Sequence, residues 1–177
     1  MRIYDGSPRK DFEEVFRSIG AHLDQRGLKD ILILEVPDGF IVQGLAHVGA
    51  SSSVWSESIG QVETETMTFA DEDIALFMDE SAARRGQGAP PPSPFGGAEY
   101  EDALRVIGRY IDEQRPKDIF LFEQEGAFVV RLHHATQSGS RHTLAEFTRD
   151  DIAALVARAP ALRTPATETK ASGPART

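Results

Sequence analysis

Three histidines in the last third of the chain are the side chains best suited to chemistry: His133, His134 and His142. Imidazole nitrogens are common zinc ligands. If the intervening residues form a hairpin that turns near Ser138, His134 and His142 become cross-strand neighbours that could share a metal ion. No third ligand is evident, and Glu146 is only one candidate. Ordinary surface histidines are the simpler interpretation, since adjacent strand residues point to opposite faces.

Two glutamates, Glu35 and Glu123, occupy matching places at the ends of two apolar runs. We predict that they could face each other in a groove between the two halves of the chain. General acid–base catalysis needs such a carboxylate pair inside a pocket. A structural or solvated role is the alternative. Other acidic clusters, such as Asp71–Asp73, lie at predicted helix starts, where carboxylates stabilise the positive end of the helix dipole.

Familiar catalytic motifs are missing from the sequence. No glycine-rich stretch joins a strand to a helix with a following lysine, so no phosphate loop is predicted. The serine-rich segment Gly49–Val54 lacks the second glycine of a nucleophile elbow. The absence of cysteine excludes thiol nucleophiles and disulfides. We therefore predict no catalytic residue and no cofactor, and we favour a non-enzymatic class.

An insertion in the first half carries the best candidate for contact with another protein. It contains the only tryptophan, Trp55, flanked by Val54 and Ile59 among several serines. Aromatic side chains are enriched at the centres of protein interfaces. We predict Val54, Trp55 and Ile59 as partner-contact residues. The alternative is a longer hairpin in which Trp55 packs on its own sheet.

The charge balance limits the class of partner. The formal net charge is −9, and acidic residues outnumber basic ones in both halves. Phosphate backbones attract basic surfaces, so nucleic-acid binding is disfavoured. RNA binding by the second half, where Arg131, Arg141 and Arg149 lie near the histidines, is kept as an alternative. No apolar run reaches the roughly 18 residues of a membrane-spanning helix, so no membrane partner is predicted.

The chain aligns with itself, which indicates two diverged copies of one unit. Matched pairs at an offset of 88 positions are Gly20 and Gly108, Asp24 and Asp112, Lys29 and Lys117, Glu35 and Glu123, and Phe40 and Phe128. Further along, Phe69 and Phe147 match at an offset of 78, so the first copy contains ten extra residues. The shared order of matches predicts an internal duplication.

Each copy predicts the element order α-β-β-β-α. Apolar residues recur at helical spacing from Phe12 to Leu23 and from Tyr100 to Ile111. The continuous apolar runs Ile31–Leu34 and Ile119–Phe122 then predict strands that are covered on both faces. Pro37–Gly39 predicts the turn into the next strand, because proline presets φ and glycine accepts a positive φ.

We predict an α+β fold formed by a tandem duplication of this unit. Its antiparallel sheets carry helices on one face in a pseudo-twofold arrangement, as one six-stranded sheet or two packed sheets. The predicted boundaries are residues 1–83 for the first repeat, 84–98 for a Pro/Gly linker, 99–159 for the second repeat and 160–177 for a disordered tail. Thr148 and Asp151 predict a capping box at the last helix.

These features favour a non-enzymatic, cytoplasmic bacterial protein that binds a protein partner or a second copy of itself, as an adaptor or a self-associating scaffold. The missing secretion signal and the absence of cysteine support the cytoplasm, and the Ala/Arg/Pro-rich C-terminal region supports a bacterial source. A small-molecule or metal-binding domain, with or without hydrolytic activity, is the alternative. That domain would use the groove of Glu35 and Glu123.

Overall fold

A computed structural model describes residues 12–47, 62–86 and 100–158 of the chain. These ranges hold helices and strands in the predicted order, α-β-β-β-α in each half. The elements are α1 (Phe12–Arg26), β1 (Leu28–Val36), β2 (Gly39–His47), β3 (Val62–Ala70), α2 (Asp71–Gly86), α3 (Tyr100–Gln114), β4 (Asp118–Gln124), β5 (Ala127–Thr136), β6 (Gly139–Phe147) and α4 (Arg149–Arg158). The predicted α+β class is confirmed. Helix α2 extends three residues into the segment predicted as a linker.

All six strands belong to one antiparallel sheet with the order β3-β2-β1-β4-β5-β6. The first strands of the two halves, β1 and β4, are neighbours at its centre, with Ile33 opposite Leu121. Of the two arrangements that the sequence left open, the structure therefore has the single six-stranded sheet. The sister half extends the sheet edge and does not cover a sheet face.

Local sequence signals account for several element ends. Gly27 follows α1 with a φ of 65°, a left-handed conformation that glycine adopts at low cost. Pro37 and Asp38 form the short connection between β1 and β2. The predicted capping box is present, because the Thr148 amide donates to Asp151 Oδ2 at 2.9 Å and the Asp151 amide donates to Thr148 Oγ1 at 3.2 Å.

One hydrophobic core joins the helices to a single face of the sheet. Alternate strand residues such as Ile33, Val42 and Leu121 are buried and belong to the same cluster as the apolar stripes of α1 and α3. Helices α2 and α4 add Ile74 and Ile152 to this cluster. Because strand side chains alternate between faces, the buried set defines the face that the helices cover. We call it the inner face, and the opposite one the outer face.

Helices α1 and α3 run antiparallel across the inner face, and each caps the other. Asp24, near the end of α1, accepts hydrogen bonds from the first two backbone amides of α3, both at 2.9 Å. Asp112, near the end of α3, accepts from the first two amides of α1 at 2.9 and 3.0 Å. A carboxylate at a helix N-terminus satisfies amides that lack partners in the helix and stabilises the dipole. These contacts hold the two halves side by side.

Glycine allows the same two helices to touch backbone to backbone. A Cβ atom built on Gly20 would overlap the Tyr100 carbonyl oxygen, and one built on Gly108 would overlap the Phe12 carbonyl oxygen. Any larger residue at either position must push the helices apart. Beneath this close approach of α1 and α3, β1 pairs with β4 in the continuous sheet.

Two arginines are buried where the helices meet. Arg17 donates to Glu14 Oε1 at 2.8 Å, and it is 1 % exposed. Arg105 is fully buried, with Asp102 Oδ1 at 3.5 Å and Glu13 Oε1 at 3.8 Å. Buried charges are tolerated only with opposite charges and hydrogen-bond partners nearby. The helical spacing indicated amphipathic helices, but it did not reveal these buried cations.

Candidate functional site

The outer face of the sheet is built from the strand residues that alternate with the buried ones. At its centre, Leu32 of β1 lies opposite Phe122 of β4, and Leu34 lies opposite Phe120. The neighbour of Leu34 on β2, Ile41, and the neighbour of Phe122 on β5, Val129, are also apolar. All of these side chains are half-buried. We call the following residues the central apolar patch: Leu32, Leu34, Ile41, Phe120, Phe122 and Val129.

The continuous apolar runs explain why the patch exists. In Ile31–Leu34 and Ile119–Phe122, every second residue faces the helices, and the residues between them face outward. The runs predicted strands that are covered on both faces. Within the described part of the chain, helices pack on the inner face alone. The rings of Phe120 and Phe122 lie 5.9 Å apart and form one continuous aromatic surface.

A rim of polar and mixed residues surrounds the central apolar patch. On the β3 side, the Gln43 side-chain amide donates to Thr66 Oγ1 at 3.2 Å. On the β6 side, the Arg131 guanidinium lies over the Phe120 ring, 5.3 Å from its centroid, in a cation–π contact. Leu144, next to Arg131, is 70 % exposed. An apolar centre with a polar rim is the arrangement found in protein–protein interfaces.

Glu35 and Glu123 do not face each other. Glu35 Oε2 accepts a hydrogen bond from the Ile119 amide at 3.0 Å, and Glu123 Oε2 accepts one from the Ile31 amide at 3.3 Å. Each carboxylate therefore completes one end of the β1–β4 ladder. Four residues of strand separate the two ends, which is about 13 Å. The predicted facing pair is wrong, because both side chains are held by the backbone of the opposite half.

Tyr100 strengthens this structural role of Glu123. Its hydroxyl donates to Glu123 Oε2 at 2.5 Å. Burial of the phenol, followed by the hydrogen bond to the carboxylate, raises the pKa of Tyr100 far above its usual range. The hydroxyl therefore stays protonated and acts as a donor. It holds the carboxylate in the position that caps the Ile31 amide.

The three histidines are arranged differently from the prediction. In the β5–β6 register, His142 lies opposite His133, and His134 lies opposite Arg141. His134 and His142 are therefore on opposite faces of the sheet, so the predicted cross-strand pair was one residue out of register. On the outer face, the His133 and His142 rings stack at 4.8 Å, and His133 Nδ1 lies 2.7 Å from Asp118 Oδ2.

Within the described ranges, no three His, Asp or Glu side chains form a set that could hold a metal ion. The partner-contact residues Val54, Trp55 and Ile59 lie outside these ranges, so their role stays a prediction. The sequence pointed to that insertion and to the histidines as sites. It did not point to the outer face, although the alternate residues of the two apolar runs were the signal for it.

Comparison with known protein families, with characterised proteins and with solved structures finds no match for this chain. Among the described helices, none combines the length and the apolar character needed to cross a bilayer. We therefore infer function from the geometry and chemistry of the outer face.

Proposed function

We propose that this chain is a non-enzymatic protein-binding module, an adaptor or a self-associating scaffold, that docks its partner on the outer face of the sheet. The observation that carries this proposal is the central apolar patch. Its six side chains are half-buried, contiguous across four strands and free of any described helix. Removing apolar surface from water contributes about 25 cal/mol for each Å², and this gain must exceed the entropy that two proteins lose on association.

The two phenylalanines at the centre of the patch suit the role of anchors. Large rigid side chains in the middle of an interface commonly supply most of its binding free energy. Phe120 and Phe122 are held by strand β4 in the middle of the sheet, so little conformational entropy would be lost when a partner covers them. The sheet thus offers a preorganised surface.

The alternative functions have less support. A catalytic or ligand-binding groove between the halves would need Glu35 and Glu123 in one cavity, and both carboxylates accept backbone hydrogen bonds at separate ends of the ladder. RNA binding would need a basic surface, and on the outer face Arg131 is accompanied by Asp118 and Glu146. Protein docking requires neither condition.

We also propose that the chain arose by duplication and that its halves are related by a pseudo-twofold axis between β1 and β4. The contacts across the boundary support this, because each occurs twice between matched residues. Asp24 and Asp112 exchange helix caps, and Glu35 and Glu123 exchange ladder ends. A duplicated chain would retain such contacts from an ancestral homodimer.

Site-specific photo-cross-linking tests the proposed docking surface. A photoreactive phenylalanine such as p-benzoylphenylalanine replaces Phe122 in the full chain, which is irradiated alone, at concentrations high enough for self-association, and also in an extract of the cells that produce it. We expect covalent adducts with protein, because a partner on the outer face must contact this ring. The control places the same group at Ala153, an exposed position on α4 that faces away from the outer face.

The comparison of these two positions decides the result. Adducts at position 122 and none at position 153 support docking on the outer face. Equal labelling at both positions indicates random collisions, and absence of adducts at position 122 in a folded protein contradicts the proposal. Circular dichroism of each variant shows whether the fold is retained.

A further inference from the structure

We propose that the occupant of the outer face is a second copy of this chain, packed sheet on sheet about a twofold axis parallel to the strands; this inference rests on the proposed function. At the centre of the outer face, two rows of residues cross all six strands. One row contains Thr68, Ile41, Leu34, Phe120, Arg131 and Leu144; the next contains Thr66, Gln43, Leu32, Phe122, Val129 and Glu146.

The area of the outer face is close to the area that each partner buries in a stable dimer. Six strands about 4.8 Å apart give a width of about 29 Å, and seven residues at about 3.4 Å give a length of about 24 Å. Strand β4, with 7 residues, is the shortest of the six. The product is about 700 Å², close to the roughly 800 Å² that each partner buries in a stable interface. An identical sheet matches the width and length of this face.

Side-chain sizes favour the axis parallel to the strands. An axis between β1 and β4 places β4 of one copy over β1 of the other. Phe120 then faces Leu34 of the second copy, and Phe122 faces Leu32 of the second copy. At the centre of the interface, each large aromatic residue therefore meets a smaller aliphatic one, which suits the spacing of about 10 Å between packed sheets. An axis perpendicular to the strands would instead set phenylalanine on phenylalanine and leucine on leucine.

The distribution of charge favours the same axis. In the two rows, β1 to β3 contribute only Leu, Ile, Gln and Thr, whereas Arg131 and Glu146 lie on β5 and β6. The axis parallel to the strands packs each charged half on a neutral half. Thr66 then faces Glu146 of the second copy, where its hydroxyl can donate to the carboxylate. The perpendicular axis would instead place Thr66 over Thr68 of the second copy and Glu146 over Leu144 of the second copy, so the carboxylate would face an apolar side chain.

Sedimentation of the full chain gives the first test. We expect the wild-type chain to sediment as a dimer, and Phe122→Lys to weaken self-association at least about 30-fold, because a cation would replace an apolar anchor. The matched control, Ala153→Lys, adds the same charge on exposed α4 and should leave the association unchanged.

The second test determines the direction of the twofold axis without changing any residue of the central apolar patch. The chain has no cysteine, so introduced thiols are the only ones present. Thr66→Cys and Glu146→Cys alter exposed rim residues on opposite edge strands, which lie about 24 Å apart in one copy. A short bismaleimide cannot span that distance. Mixing the two single variants should give covalent heterodimers, and neither variant alone should cross-link efficiently.

The outcomes separate this inference from the proposed function. Wild-type dimers with Thr66-to-Glu146 cross-links support the inference. Dimers in which each single variant cross-links to itself overturn the strand-parallel axis. If the wild type is strictly monomeric but forms photo-adducts with another protein at position 122, the inference that a second copy covers the outer face is wrong. The proposal of protein binding on that face would stand. A strictly monomeric wild type without such adducts overturns both.

Discussion

At the scale of single residues, the charged side chains that are most costly to bury lie between α1 and α3. Glu13 and Arg105 are 3.8 Å apart, and the arginine side chain is fully buried. Burial raises the pKa of Glu13 above its ordinary value, and the positive charge of Arg105 only partly offsets this effect. The folded chain therefore binds a proton at Glu13 more tightly than the unfolded chain, and ionised Glu13 lowers stability near neutral pH.

Glu13→Gln should consequently make the protein more stable near neutral pH, because glutamine resembles the protonated glutamate. The advantage should shrink as the pH falls through the raised pKa of Glu13. It should vanish below the unfolded-state value, where the wild-type residue is protonated in both states. Urea unfolding of both proteins across this pH range measures the difference. Glu113→Gln, at an exposed position beside Arg109, should show little effect at any pH.

A loss of stability in Glu13→Gln near neutral pH would show that the attraction to Arg105 outweighs the cost of burying Glu13. In that case the variant would be less stable near neutral pH, and the loss would disappear on acidification. The measurement thus decides which of two opposing effects is larger at this one residue, independently of any partner.

Site residues were predicted from the sequence with mixed success, for a physical reason. Thr148 and Asp151 were placed correctly because a capping box is local, with its partners three residues apart. His134 and His142 were paired one residue out of register, and that error moved one ring to the other face. Glu35 and Glu123 depend on contacts between distant strands, which sequence spacing could not specify.

At the scale of elements, the spacing of apolar residues predicted the helices and strands in the described ranges. It could not predict that β1 and β4 would join into one sheet. That choice depends on the seam between α1 and α3, where Asp24 and Asp112 cap helices in the other half. The aspartates and glycines of this seam were visible as repeated residues. Their partners lie at least 76 positions away, beyond any local pattern.

The helix seam yields a prediction with an unusual sign. Glycine-to-alanine changes inside helices normally stabilise a protein by about 1 kcal/mol. Gly20→Ala and Gly108→Ala should each destabilise this protein by about 3 kcal/mol, because the added Cβ overlaps a backbone carbonyl that cannot rotate away. Thermal or urea unfolding measures the effect. A neutral or stabilising result for either variant would show that α1 and α3 can separate at low cost.

At the scale of the whole molecule, the described halves share one core and one sheet. Each half alone would leave the inner residues of a central strand exposed, together with one of the two helices that cover them. A unit of about 60 residues buries only a modest fraction of its surface on folding, so exposing these apolar residues would leave it marginally stable. An isolated half should therefore be stable only when another chain takes the place of the missing half. According to the pseudo-twofold proposal, a second copy of the same half can take that place.

The last prediction concerns residues 99–159 expressed alone with Phe122→Lys, which removes association through the outer face. In a homodimer of this fragment, Asp112 of each copy can cap α3 of the other, and Glu123 can accept the Ile119 amide. We expect a dimer that unfolds cooperatively on heating and dissociates on dilution. Asp112→Ala removes two caps at once, about 2 kcal/mol in total, and should weaken the fragment dimer about 30-fold. A folded monomer would refute the shared core, and a dimer indifferent to Asp112→Ala would refute the exchange of helix caps on which the pseudo-twofold proposal depends.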